Sequence, residues 1–455
     1  MAKYLAVFLF LSGFAVHRIS GQYPGVPVMP SAPKPATFPQ YGTFPAPASP
    51  RPNVPQPSYG YGASIQEQNA RQMQEMQEHQ RQQQMQNQRL MQEAVRELES
   101  KGLDVVACMT FVRLPDYSSS PGTEYFRNAL TEIGKMLTGE SPLSLKDAVF
   151  LVENAYLGNA LSYSDYTNYI REAASLCQAK IKQLGLDPED PLAQSMVLFH
   201  FMTDTFTLKL VGREKTLVHL PMQYDIEGPG GEEDYSKLLV TKLMATNSGQ
   251  CATLPRLFLI LAEATGAEGF LCHAPLHSFI KVRDKEGYWY NLELTSGGIY
   301  QDQQYMLHSF TKAEALRNKL YLEPMTLKQT VADMLVELAG AYINRYGVDG
   351  FMAECYNTVL QHDPNNIRAY ILRNNYYTAS AIYVAQRTGV TSREQIADCP
   401  SANRMYQLAM KYKEELFAMG FEPMPRELYQ DWLKDLIEKK DKPENQRLKL
   451  QYIIK

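Results

Sequence analysis

The segment 247–266, NSGQCATLPRLFLILAEATG, places its apolar residues at helical spacing. Leu254, Leu257, Phe258, Leu261 and Ala262 fall at i, i+3, i+4, i+7 and i+8, so one stripe faces a core. Gly266 is a natural end for that helix. The period then shortens. Phe279 and Lys281 alternate with Ile280 and Val282 as in a half-buried strand, and a turn at 284–287 leads to a second strand over 288–295. Upstream, the spacing predicts helices over 125–137, 145–160, 163–184 and 191–206, punctuated by Pro142, Gly158 and a break at 185–188. The stretch 104–112 fits either a short strand or a buried helical start. Downstream, helices are predicted over 330–345 and 351–362, from Ile367, and over 401–419 and 425–439. The succession is that of an α+β protein, with a helical front lobe before the core and an all-helical C-terminal region.

The first hundred residues have another pattern. Lys3, then the apolar run from Leu5 to Val16, then Ser20 and Gly21 read as a signal peptide over 1–21, so the protein is expected to be exported, periplasmic or secreted. Residues 22–63 are dense in proline and cannot bury a core, which predicts a disordered spacer. Residues 64–101 are rich in Gln, Met, Glu and Arg, and 65–101 carry no proline or internal glycine before the Lys101 end. A partly helical arm is expected there, without the sustained heptads of a coiled coil. The folded part divides by pattern into 102–325 and 326–455. No later segment supplies eighteen apolar residues, so no transmembrane span is expected. With a formal charge of −4 and no concentrated basic face, no nucleic acid partner is expected.

The chemistry gathers in one window. Cys251 stands behind a Ser-Gly turn at a helix start, where the dipole and free amide donors favour the thiolate. His277 opens the first strand of a hairpin and Glu293 lies late on the second, so the two can stand side by side. A carboxylate there would orient the imidazole, and the imidazole would deprotonate or pair with the thiol. Alternatives stay open: His273 as the base, Asn291 as the orienter, and a thiol that is merely buried. The Cys251 backbone N–H, with the Gln250 side chain as an auxiliary, is a candidate oxyanion donor.

Gly-x-Cys at a helix start, His on a following strand, then Trp289 and an acid before Thr295 resemble the transglutaminase-like cysteine protease superfamily. The Cys251-Ala-Thr-Leu-Pro255 run and the Gly266 helix end are most similar to its branch with a SirB-type transglutaminase-like domain followed by tetratricopeptide-type helices. The resemblance covers 195–320 well and the later helices loosely, through Gly340, Tyr356 and Pro364. It implies a papain-like core over 102–325, a tetratricopeptide-like region over 326–455, and Cys251, His277 and Glu293 as nucleophile, base and third member. The commoner third acid is Asp, so Glu293 is a departure that lengthens the arm by one methylene. The resemblance further implies a cysteine enzyme acting on amide bonds through an acyl-enzyme; because nothing in the sequence marks a pocket for an acceptor lysine, a peptidase or amidase is expected rather than a crosslinking enzyme. The partner would be a protein or peptide substrate, and the C-terminal helices offer a surface for a further protein partner. The alternative is a non-catalytic binding or scaffold protein of the same fold.

Neither cofactor nor metal is expected. The acidic, glycine-rich loop 225–234 has oxygen ligands suited to Ca²⁺, but its spacing is not that of an EF-hand and a solvated loop explains it. His200 reads as a packing residue. Six cysteines at wide spacing could form disulfides in an exported protein, and a Cys251–Cys272 bridge would refute the enzyme reading.

Overall fold

The computed structural model describes residues 62–187, 189–209, 215–225, 234–308 and 311–438. The expected signal peptide and nearly all of the proline-rich spacer lie outside them, as does the middle of the acidic loop. The chain separates into two compact units, 18–102 and the remainder. In the first, α1 (Gly62–Ser100) is one unbroken helix rather than a partly helical arm. Its side chains over 70–94 are exposed. Over that span it has no apolar stripe to bury and rests on high intrinsic propensity; near its end Leu98 is buried.

The second unit begins with α2 (Val105–Met109), which resolves the ambiguity at 104–112 in favour of helix because Asp104 caps it through the Ala107 N–H. Four helices come after it: α3 (Thr123–Thr138), α4 (Leu145–Tyr156), α5 (Tyr163–Leu184) and α6 (Pro191–Thr203). Ser144, Ser162 and Asp190 cap the last three. The helix expected over 191–206 stops earlier, at Thr203, and its apolar tail enters a hairpin of β1 (Phe206–Lys209) and β2 (Thr216–His219). A strand of two residues, β3 (Gln223–Tyr224), precedes a 3₁₀ turn at Tyr235–Leu238 and α7 (Val240–Thr246). Then β4 (Ser248–Gly249) pairs parallel with β3, and α8 (Thr253–Thr265) begins shortly after.

An antiparallel meander comes next: β5 (Phe270–Ala274), β6 (His277–Arg283), β7 (Trp289–Glu293) and β8 (Gly298–Tyr300). Two of these strands, β5 and β8, were not legible in the sequence. Leu271, Ile280, Leu292 and Ile299 belong to the large helical core that includes α8. Cys272, Phe279 and Tyr300 belong to a second, smaller core. The chain continues through α9 (Asp302–His308), α10 (Ala313–Arg317), α11 (Leu327–Arg345), α12 (Gly350–His362), α13 (Ile367–Thr388), α14 (Arg393–Asp398), α15 (Pro400–Ala418) and α16 (Arg426–Glu438).

The large core runs from Phe126 to Leu372 across position 326 without a break. α11 is buried along most of Thr330–Tyr342 and packs on α3, α4 and α12, so it braces the front helices. Its hydrophobic surface is turned inward. The fold is thus α+β, with the four-stranded sheet held between two cores. Cys108 and Cys399 form a disulfide that ties α2 to the start of α15, while Cys177, Cys251, Cys272 and Cys355 are free and buried. No helix among the described residues is long and apolar enough to cross a membrane.

Candidate active site

Cys251 is fixed by what precedes it. β3 and β4 pair through Tyr224 and Gly249, and the Asp225 N–H donates to the Gly249 carbonyl at 2.8 Å. A Cβ on Gly249 would stand 2.6 Å from Thr253 Oγ1 and 3.1 Å from Leu243, so the approach of this strand to the helix requires glycine. The Gln250 carbonyl accepts the Leu254 N–H at 3.0 Å. That is the first helical bond, which leaves Cys251 in the opening turn of α8.

His277 is delivered by the two-residue turn between β5 and β6. Ala274 pairs with His277 across it, with Pro275 leading and Leu276 at φ 58°. A left-handed leucine is strained by about 1–2 kcal/mol, and its carbonyl lies 3.8 Å from the Cys251 sulfur. The β6–β7 register sets Asn291 opposite Lys281, and Glu293, two residues on, shares that face and lies toward His277. His277 Nε2 and Glu293 Oε2 are 2.8 Å apart. The second ring nitrogen, Nδ1, is buried without a hydrogen bond of good geometry, and the ring interacts with the Cys251 thiol.

Glu293 is fully buried and its oxygens are well supplied with donors. Its Oε1 accepts from Thr295 N–H at 3.0 Å and Thr295 Oγ1 at 2.6 Å; its Oε2 also accepts from the Tyr305 hydroxyl at 2.8 Å. Thr295 and Tyr305 were not anticipated, although Thr295 sits in the motif itself. The structure therefore brings Cys251, His277 and Glu293 together. It takes Asn291 elsewhere: its amide donates to Asp302 Oδ1 at 2.8 Å, beside the Lys281–Asp302 pair. Gln250 is also committed, its Nε2 donating to the Asp225 carbonyl at 2.8 Å. His273 lies within β5, outside the strand that carries His277. It pairs with Ser278, on the face opposite His277.

Burial raises the Cys251 pKa, but the hydrogen bond and charge of His277, with help from the Tyr429 hydroxyl, bring it below the ordinary thiol value. Burial alone would keep His277 neutral. The Glu293 charge and the bonds to Cys251 and Glu293 outweigh it and push the imidazole up to about 10. Burial likewise opposes the Glu293 charge, yet His277, Thr295 and Tyr305 hold that carboxyl low. The three other free thiols behave differently: desolvation drives Cys177, Cys272 and Cys355 well above the ordinary range. Cys251 differs from them because an imidazole stands beside it.

The site is roofed by α16. The Tyr429 hydroxyl stands 3.5 Å from the Cys251 sulfur, and Trp432 packs edge-on against His277 with centroids 4.6 Å apart. Cys251 is 8 % exposed and His277 4 %. An open cavity of about 410 Å³ is lined by Lys281, Trp289, Asp302 and Tyr321 but by none of the three site residues. Tyr429 lies 178 residues beyond the thiol, and no local pattern marks it or Trp432. Among the described residues, no group of three His, Cys, Asp or Glu is placed to hold a metal. Asp225, at the start of the acidic loop, is instead paired with Lys242 at 3.2 Å and Lys237 at 3.5 Å.

Comparison of the chain with protein-family models, with curated proteins and with solved structures finds no match.

Proposed function

We propose that this protein is a transglutaminase-like cysteine enzyme that attacks amide carbonyls and forms an acyl-enzyme on Cys251. The reading is supported by the convergence of thiol, imidazole and carboxylate from the start of α8, β6 and β7, with the thiol pKa lowered and the imidazole pKa raised. The Cys251 thiolate adds to the carbonyl carbon, and the Cys251 N–H is offered to the developing oxyanion. His277, held by Glu293, protonates the departing amine as the tetrahedral adduct collapses. Water then releases the acid. Hydrolysis is preferred over crosslinking, with water as the acyl acceptor. Because Tyr429 and Trp432 cover the sulfur and the imidazole, a substrate has to displace α16. Export is part of the proposal, and the Cys108–Cys399 disulfide favours it, since such bonds persist in oxidising compartments.

The roof favours a second reading, a binding protein in which the buried thiol is inert. The pH dependence of iodoacetamide labelling at Cys251 separates the two. In the enzyme, labelling is rapid near pH 6 and collapses in His277→Ala; a thiol that reacts only above about pH 8 in both chains is unperturbed and identifies the binding protein.

A further inference from the structure

The Tyr224 hydroxyl is buried and makes no hydrogen bond of good geometry. Its strand is bolted to the nucleophile: Tyr224 pairs with Gly249, and Gln250 bonds the carbonyl of Asp225. Tyr224 is therefore held in fixed register with Cys251. The groups acting on its phenol include the Cys251 sulfur and the Tyr429 hydroxyl.

We propose that Tyr224 is a catalytic residue of this site, donating its phenolic hydrogen to the carbonyl oxygen as the Cys251 sulfur adds to the carbonyl carbon. The proposal rests on the cysteine-enzyme reading above. The Tyr429 oxygen, 3.5 Å from the sulfur, marks a polar position beside the thiol that the carbonyl oxygen of a substrate is placed to take over. When α16 withdraws, the Tyr224 hydroxyl loses one neighbour and meets the acyl oxygen instead. A second donor is needed there, because the backbone N–H of Cys251 supplies one bond and the Gln250 amide is already engaged. In the step itself a C–S bond forms and the carbonyl π pair moves to oxygen, where hydrogen bonds from Tyr224 and the Cys251 N–H stabilise it. Collapse of the adduct restores the carbonyl and expels the amine with the proton from His277. Burial and the adjacent sulfur both raise the phenol pKa, which keeps the donor proton in place at neutral pH.

The test compares two reagents on the full chain. p-Nitrophenyl acetate acylates a thiol through an oxyanion, whereas iodoacetamide alkylates it by displacement without one. Both are measured on the native sequence and on Tyr224→Phe, each also with Trp432→Ala to admit the reagent. The expected result is acylation slowed ~10-fold or more in Tyr224→Phe, with alkylation unchanged. Equal acylation rates in the two chains overturn the assignment. A parallel loss of both reactions overturns it too, because Tyr224 would then be setting the thiol and not the carbonyl. The underlying enzyme reading fails differently, with a Cys251 that neither acylates nor labels below pH 8 even when Tyr224 is intact, and the role of Tyr224 falls with it.

Discussion

His273 and His277 stand four residues apart on one hairpin and face opposite sides of its sheet. Around His273 lies a network of fixed charges. Arg256 of α8 meets Glu337 of α11 at 2.5 Å, Arg368 of α13 bridges Glu337 and Asp333, and His273 Nε2 lies 3.6 Å from Asp333. Each carboxylate thus faces arginine, a side-chain type that keeps its charge and offers a fixed fork of donors. The His277 cluster is built from Cys251, Glu293, Tyr305, Tyr429 and Trp432, none of them a permanent cation. The distribution of charge there, not its sum, depends on whether a proton moves from Cys251 to the imidazole, with Glu293 stabilising the imidazolium. The first cluster holds the C-terminal helices to the core, and the second can change state. Compensation by fixed charges makes a staple; compensation by a movable proton makes a reactive site.

The largest effect should come from breaking the staple. Glu337→Ala leaves Arg256 and Arg368 buried with one carboxylate between them and should cost ~3–5 kcal/mol in chemical denaturation. Burial opposes ionisation of Asp333 and Glu337, but the arginines outweigh it and hold both carboxyls low. Their contribution is therefore present above the unfolded value near 4 and is lost as pH falls through the lower folded values. Removing Glu337 should flatten that acid limb. Labelling of Cys251 should keep its pH midpoint in the folded variant. A shifted midpoint would mean that the clusters are coupled through α8 and would end the contrast.

Glu293→Gln acts on the other cluster. The neutral amide no longer supports an imidazolium, so thiolate labelling should move up by at least one pH unit, ~10-fold less reactive thiol at pH 6. Stability should respond with the opposite pH sense to the staple. Because His277 is raised in the folded state to about 10, its contribution is full below the unfolded value near 6.5 and is lost as pH rises through the folded value. In Glu293→Gln that loss should shift to lower pH. If labelling in the variant keeps its midpoint, Glu293 is only a packing group.

Much of the reactive cluster could be read in the chain and the staple could not, for physical reasons. The turn, the helix start, His277 and Glu293 are close in sequence and carry periodic signals, so local pattern suffices to align them. The choice between Glu293 and Asn291 could not be made that way, since both lie on one strand face; Asp302, by taking the Asn291 amide, decides it. β5 escaped because Leu271 to Ala274 is buried on both faces and shows no alternation. The staple escaped for another reason. Arg256, Asp333, Glu337 and Arg368 sit in helices where a charge normally marks the solvent side, and only their mutual proximity reverses that. Tyr429 and Trp432 depend on where α16 returns, which no local pattern records.

The smallest effect sharpens the contrast in access. The staple is enclosed by α8, α11 and α13, whereas the reactive cluster is roofed by one helix through two aromatic contacts. An edge-on aromatic contact is worth ~0.5–1.5 kcal/mol, which corresponds to a change of about 2- to 10-fold in an opening equilibrium. Trp432→Ala should therefore speed iodoacetamide labelling of Cys251 by a factor in that range at constant pH. The pH midpoint should stay put, because the His277–Glu293 pair is intact. A faster rate with a fixed midpoint separates opening of the roof from tuning of the thiol. An unchanged rate would mean that Trp432 does not limit entry, and the way in would then have to lie on another side of the sulfur, past Leu276 in its exposed left-handed turn.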